Sequence, residues 1–261
     1  MSADKLVDST QLDSDLTSVA NAIRAKSGGS SQLAFPSGFV SEIGNISGGY
    51  SVSAVFNQGE NLVFTTDDLD DLKQYLVVTV TYADSSTETL ADGAYTLSGT
   101  LTAGTSTITV TAMKKTATFT VAVTAATDVT PSFSRWAAGA SSTATKNMTD
   151  GAILAESDVD GTYRNANAGI TLESGFRYRF SAHVDFFAGY AKLVFSNSSW
   201  NWITGCYSST LYESGDIVLD CKPSDASNFT ASAHLMLYCT TTVSAAGKAV
   251  FKKIKVIKYA A

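Results

Sequence analysis

Proline is nearly missing from this chain, with three residues in 261. Cysteine is as scarce: Cys206, Cys221 and Cys239 are odd in number, confined to the last quarter, and without a CxxC pair. That usage argues against a disulfide framework and against a zinc site, and for buried reduced thiols acting as small apolar residues. Charged residues make up only 16%. No apolar run approaches the length needed to cross a bilayer, so no membrane partner is expected. The opening MSADKLVDSTQLDSD lacks the apolar stretch of a secretory signal, and the closing KKIKVIKYAA carries no hydrophobic anchor. Synthesis in a cytoplasm, without export by the general route, is the expectation.

Catalytic signatures are absent as well. There is no nucleophile elbow, HExxH, phosphate loop or ordered Ser-His-Asp set. A glycosidase needs two facing carboxylates in a cleft. Glu173, Asp185, Glu213 and Asp216 are available, but each also fits a turn or a strand end. The long repeats of a β-helical depolymerase are missing too. The chain is expected to be no enzyme and to need no cofactor.

What is present is Thr, Ser, Ala and Gly in abundance, a composition that favours strands and turns. The charge is uneven. Residues 1–130 hold six Lys+Arg against fourteen Asp+Glu, whereas residues 131–261 hold twelve against ten. An acidic front half speaks against a nucleic-acid partner. Lys252, Lys253, Lys255 and Lys258 form the one basic stripe, which reads as a solvated edge or face of a final strand, where lysines block unwanted pairing.

The stretch LTSVANAIRAKSGGSSQLAFPSGFVSEIGNI, residues 16–46, is patterned differently. Leu12, Leu16, Val19, Ala20 and Ile23 make one apolar stripe on a helix. Arg24 and Lys26 sit late, where the helix dipole favours cations, and Gly28-Gly29 ends the helix. Pro36 restricts Phe35 to extended backbone. Phe39, Val40, Ile43 and Ile46 form a second short stripe. Two helices this short bury too little surface to fold alone with much margin. Leu16, Val19, Ile23, Phe35, Phe39 and Ile43 are therefore expected to dock, either on the chain's own next domain or on another protein. The segment resembles a small module of virion proteins in tailed phages and prophages. That resemblance implies docking on a virus particle, with other virion proteins as partners.

Ser47-Gly48-Gly49 is a natural hinge. Beyond it, SVSAVFN, ENLVFTT, YLVVTVTYA, TETLA, AYTLSG, STITVTA and TATFTVAVT are separated by Gly, Asp, Asn and Ser clusters. Val78, Val80 and Tyr82 alternate with Thr79 and Thr81. Phe119, Val121 and Val123 alternate with Thr118, Thr120 and Ala122. A period of two, at strand spacings near ten residues, points to an antiparallel β-sandwich. One departure is DDLDDLKQYL, residues 67–76, which reads as a helical turn across one end. This region is similar to the bacterial immunoglobulin-like domains of surface proteins and phage structural proteins, without the Cys-Trp-Cys core of antibody domains.

From about residue 130 the strand candidates are GITLE, FRYRFSAHVDFF, YAKLVFSN, NWITGCY, DIVLDCKP, ASAHLMLYCT and AVFKKIKVIKY. Tyr178, Phe180, Ala182, Val184 and Phe186 share one side, and Arg177, Arg179, Ser181, His183 and Asp185 the other. The framework RYRFSAHVDF…AKLVFS, SGDIVLDC and AVFKKIKVIKY resembles jelly-roll carbohydrate-binding modules. The whole chain is thus expected to be mainly β: a helical docking module over 1–48, an Ig-like β-sandwich over 49–128, and a jelly-roll β-sandwich over 129–261.

Sugar recognition needs flat aromatic faces and a few fixed polar groups. Residues 131–261 hold 18 of the 27 aromatics. Trp200 and Trp202 stand two apart in NSSWNWITG, so on a strand they face one side. They make a candidate glycan platform, with Arg177, Arg179, His183 or Asp185 supplying hydrogen bonds. The competing reading is that they plug one end of the sandwich or meet another subunit. Trp136, Tyr163, Tyr207 and Tyr212 lie near expected loops. His183 and His234 share the polar parity of their strands, and with Asp185 they form a candidate metal set. In the loop 150–161, Asp158 and Asp160 are candidate ligands for a structural Ca2+, with a solvated acidic turn as the alternative.

Together the resemblances imply a virion protein assembled in the host cytoplasm, a head fibre, tail fibre or capsid decoration. It would contact cell-surface glycans and form a homo-oligomer on the particle. The alternatives are a decoration protein that binds no ligand, or a bacterial surface adhesin.

Overall fold

The computed structural model describes residues 9–45, 50–138, 145–147, 152–156, 164–240 and 247–261. The chain divides into two compact units, Met1–Thr124 and Ala125–Ala261. It is mainly β: a short helical module followed by two β-sandwiches. No helix among the described residues is long and apolar enough to cross a membrane.

The first unit opens with α1 (Ser9–Ser27) and α2 (Ser37–Asn45). α1 ends where Gly28 adopts φ 77° and its N–H donates to the Arg24 carbonyl at 2.9 Å, the left-handed cap that glycine supplies without strain. Ala20, Ile23 and Phe39 form a miniature core, with Leu16 and Leu33 packed against it. The six expected docking residues therefore separate. Leu16, Ile23 and Phe39 serve the module's own core, whereas Val19, Phe35 and Ile43 are exposed, together with Val40. Ile46 and the Ser47-Gly48-Gly49 hinge lie outside the described residues.

Seven strands follow: β1 (Tyr50–Phe56), β2 (Val63–Phe64), β3 (Leu76–Tyr82), β4 (Thr87–Thr89), β5 (Thr96–Ser98), β6 (Gly104–Ala112) and β7 (Lys115–Thr124). They build a sheet ordered β1-β3-β4 and another ordered β2-β7-β6-β5. The alternation works as expected. Val78, Val80, Val121 and Val123 are buried while the intervening Thr79 and Ala122 stay at the surface side. DDLDDLKQYL is a 3-10 helix, Leu69–Tyr75, not a strand. It buries Leu72, and the Asp68 N–H donates to the Asp71 carboxylate at 3.2 Å. The helical module meets this sandwich through Lys26. Its Nζ donates to Ser86 Oγ at 2.8 Å, lies 3.4 Å from the Asp84 carboxylate and sits 3.7 Å from the Tyr82 ring centroid. So part of its anchoring is intramolecular.

The second unit contains β8 (Ala126–Asp128), β9 (Ala137–Ala138), β10 (Thr145–Asn147), β11 (Ala152–Glu156), β12 (Arg164–Thr171), β13 (Phe176–Ala188), β14 (Tyr190–Asn197), β15 (Trp202–Tyr207), β16 (Gly215–Cys221), β17 (Ser232–Thr240) and β18 (Lys248–Ala260). One sheet runs β10-β11-β18-β13-β16, with β8 also on β18, and the other runs β15-β14-β17-β12-β9. From β11 to β18 the chain changes sheet at nearly every step, β14–β15 being the hairpin that stays within one. The inner orders β11-β18-β13-β16 and β12-β17-β14-β15 are those of a jelly roll. Tyr178, Phe180, Phe195, Phe251, Leu193, Leu235 and Ile203 fill the space between the sheets and are fully buried. Burying side chains of this size contributes about 1.5–3 kcal/mol each.

Several expectations are corrected here. The boundary near 128 moves back, because β8 pairs with β18 (Lys258 opposite Thr127) and so belongs to the second unit. β18 is no edge strand: it is hydrogen-bonded on one side to β11 and β8 and on the other to β13. Two of its lysines make ion pairs, Lys252 meeting Asp185 at 2.6 Å and Lys258 meeting Glu173 at 2.6 Å. Trp136 is no loop-surface aromatic. It is 2% exposed, its ring 6.5 Å from that of Phe180. All three cysteines are free and buried, and a hydrogen bond with Cys206, together with burial, pushes the Cys221 thiol well up.

Candidate functional site

Both outer faces of the second sandwich carry the expected site residues, but they divide them. On β13, Tyr178, Phe180, Ala182 and Val184 point into the core, which turns Arg177, Arg179, His183 and Asp185 to the outside of that sheet. Trp202 packs on Val194, Met236 and Tyr238, on the outside of the other sheet. The two tryptophans and the four polar residues therefore lie on opposite faces of the sandwich and form no single constellation. The physical reason is topological: β13 and β14 are consecutive in sequence but in different sheets. His183 on β13 and His234 on β17 are separated in the same way, which removes the two-histidine metal set. Among the described residues, no group of three or more His, Cys, Asp or Glu side chains could hold a metal. Asp158, Asp160 and Tyr163 lie outside the described residues.

The β13 face is a closed network of charge. Arg177 donates to Asp220 Oδ1 through Nε at 3.1 Å and Nη2 at 2.8 Å, and Arg179 Nε donates to Oδ2 at 3.1 Å. The Tyr259 hydroxyl completes the cluster, 2.6 Å from the Asp220 carboxylate. Hydrogen bonds to Tyr259 and Asp220 hold the Arg177 guanidinium well above its ordinary range, and burial pushes the Tyr259 phenol up. Further along, His183 Nδ1 lies 2.7 Å from Asp216, and Nε2 is 3.5 Å from Asp185. Lys252 in turn holds the Asp185 carboxyl below its usual range. Each of these charges is spent on another side chain of the same sheet.

The opposite face is aromatic. β14 and β15 are joined by a tight turn organised by Asn197, whose side-chain oxygen accepts from the N–H groups of Ser199 and Asn201, both at 3.0 Å. Its amide donates to the Asn228 carbonyl at 3.1 Å, and Asn228 returns a bond to the Trp202 carbonyl at 2.8 Å. Within this turn Trp200 has φ 65°, a left-handed conformation that is uncommon for so bulky a residue. The turn lays the indole flat on His234 of β17, with ring centroids 3.8 Å apart and planes 13° apart. The outer indole face stays open, and the residue is 49% exposed.

Trp202 is held more firmly. Its Nε1–H donates to the Tyr238 hydroxyl at 3.2 Å, and its ring meets Tyr238 at 68° and Tyr207 at 45°. Tyr207 is exposed, a surface aromatic as its position near a loop suggested. Lys192 Nζ stands 5.7 Å from the Trp202 ring and 5.4 Å from the Tyr207 ring. Exposed Tyr212 meets Tyr190 at the end of β14. Sequence reading missed His234 as the support for Trp200, Tyr238 as the partner of Trp202, and Lys192. The polar parity of β14 and β17 was the signal that could have found them.

Ser196 lies at the centre of this face, opposite His234 on β17 and Trp202 on β15. It is fully buried, and its hydroxyl has no hydrogen-bond partner among the described residues. Buried polar groups are nearly always paired, so this one marks the floor of the face as incomplete.

Residues 68–123 match the bacterial Ig-like domain family (group 3). The first sandwich is thus Ig-like over most of its length. No curated protein matches the chain. Among solved structures, an arabinose-bound α-L-arabinofuranosidase aligns at 11% identity and TM-score 0.38, over 51% of this chain and 24% of that one. A family 4 carbohydrate-binding module aligns at 14% identity and TM-score 0.35, over 47% and 86% respectively. A carbohydrate-binding module in complex with β-1,4-galactotriose aligns at 13% identity and TM-score 0.31, over 48% and 88%. Likenesses this distant transfer neither a ligand nor a site.

Proposed function

We propose that this chain is a non-enzymatic adhesive protein whose second sandwich binds glycans on its aromatic face. The observation that carries this reading is the Trp200 indole, stacked flat on His234 with its other face open to solvent. A pyranose ring offers C–H groups to such a surface, and the polar and cationic side chains around it offer hydrogen bonds to hydroxyls. Trp202, Tyr207 and Tyr238 extend the platform along the sheet. The charged residues of the β13 face are committed to one another and take no part in it.

The N-terminal module supports the second half of the proposal, display on a tailed-phage particle. Its resemblance to phage virion modules and its exposed Val19, Phe35, Val40 and Ile43 favour a docking surface. The Ig-like sandwich then acts as a spacer. Many copies on one particle, self-associated or not, would convert weak single-site affinity into avidity.

The test is a glycan array probed with the full chain and with Trp200→Ala. Reproducible hits that disappear in the variant support adhesion. Silence across a broad array, or hits indifferent to Trp200, favours a decoration protein in which the exposed aromatics are subunit contacts. On particles, deletion of residues 1–48 is expected to release the protein, and retention would overturn the docking role.

A further inference from the structure

The aromatic face differs from its opposite in one more respect, the sign and freedom of its charges. The strands of its sheet, β9, β12, β14, β15 and β17, contain no Asp or Glu at all, while β14 contributes Lys192. Lys192 projects beside Trp202 and Tyr207, with no carboxylate partner among the described residues. A second cation reaches the same sheet from outside it. Arg135, just before β9, donates through Nη2 to the Gly169 carbonyl at 3.2 Å. Ala168 lies in the core, so the missing side chain of Gly169 would point outward, where a Cβ would meet Arg135 Nη2 at 3.9 Å. Gly169 pairs with His234, the residue under Trp200. Each end of the platform thus has a cation: Arg135 toward the Trp200–His234 stack, Lys192 toward Trp202 and Tyr207.

On the other sheet, Arg177 and Arg179 reach Asp220, Lys252 reaches Asp185 and Lys258 reaches Glu173. On the aromatic face, by contrast, neither Lys192 nor Arg135 has a carboxylate partner among the described residues. The carboxylate next along the chain from the platform, Glu213, stands beyond Tyr212 in the connection between β15 and β16, at the Tyr190 end.

Resting on the glycan-binding reading above, we propose that the ligand is an acidic polysaccharide. Its sugar rings stack on the Trp200 and Trp202 platform, and its anionic groups, carboxylate or sulfate, pair with Lys192 and Arg135. A neutral glycan would leave Lys192 and Arg135 without an anionic partner and gain nothing from their charge. An anionic one gains two charge-assisted contacts at a face with no opposing carboxylate on its strands.

The test is calorimetric titration of the full chain with three probes of matched length: an oligogalacturonate, a sulfated galacto-oligosaccharide and a neutral galacto-oligosaccharide. Expected is tighter binding of one or both acidic probes than of the neutral one, weakening with added salt. Which acidic probe wins identifies the anionic group. Lys192→Gln and Arg135→Gln should each weaken the acidic probe by about threefold, the range of partly exposed charge pairs, and leave the neutral probe unchanged. Trp200→Ala should weaken all three. Equal binding of acidic and neutral probes, lost in Trp200→Ala, overturns the acidic preference and leaves the glycan site standing. Acidic binding that survives Trp200→Ala together with Lys192→Gln overturns the placement on this face. Binding of none of the probes overturns both.

Discussion

The two outer faces of the second sandwich come from the same run of alternating strands, yet they are built on opposite principles. The β13 face gathers arginine, aspartate, histidine and lysine into pairs, most of them across neighbouring strands of the sheet. The β14–β17 face gathers aromatic rings, leaves one of them half-exposed in a left-handed turn, and gives Lys192 no carboxylate partner among the described residues. A residue-type list would have favoured the charged face, since arginine, histidine and aspartate look like ligand-binding groups. Pairing shows otherwise: a charge already neutralised by a neighbour has little left to offer a ligand, whereas an open indole supported from behind is preorganised for one.

That contrast can be broken by substitution. The largest effect expected is on binding. Trp200→Ala should cost about 2 kcal/mol of glycan affinity, the scale of an aromatic hot spot, while the denaturation midpoint hardly moves because the ring is half outside the fold. An array or titration signal unchanged by this variant would erase the distinction between the faces. Asp220→Ala should do the reverse. It removes the acceptor that Arg177, Arg179 and Tyr259 share and should lower unfolding stability by about 2 kcal/mol, measured by denaturant titration, with glycan binding intact.

Smaller effects sharpen the picture. Trp202→Phe keeps an aromatic ring but removes the donor to Tyr238, so a loss of about 1 kcal/mol of stability is expected. Alkaline titration should separate the faces again. The folded-state pKa of Tyr259 is raised by burial and by its bond to Asp220. Its contribution is therefore complete below the ordinary tyrosine pKa and is lost as pH rises through the higher, folded value. Tyr259→Phe should flatten that alkaline slope in a pH series of melting curves. Smallest of all, Lys252→Ala should leave the midpoint within error, because its pair with Asp185 is partly open to water.

Much of this architecture could be read from residues. β14 covers the expected YAKLVFSN without change, and the Val/Thr alternation of β3 and β7 delivered their inner and outer faces directly. Short, Ala-rich strands such as β9, two residues, and β11, five, were invisible, since alanine has no strong strand preference and so short a run shows no clear period. The β6–β7 hairpin turns through Met113 and Lys114, both with positive φ, at a place with no glycine or asparagine to announce it. The lysines of β18 suggested an edge or a face, and the strand is central, because a lysine at a sheet edge and one whose ammonium leans out to a carboxylate look alike in one dimension.

By itself, the sequence determined the order of helical module and sandwiches, the inward and outward side of each strand, and the aromatic richness of the last half, all of which depend on local period and composition. Only the tertiary structure decided which outward residues share a face. Alternation separates core from solvent within a strand. The assignment of strands to one sheet or the other is made by pairings such as His234 with Ser196 and Asp220 with Arg179, between residues roughly forty positions apart along the chain.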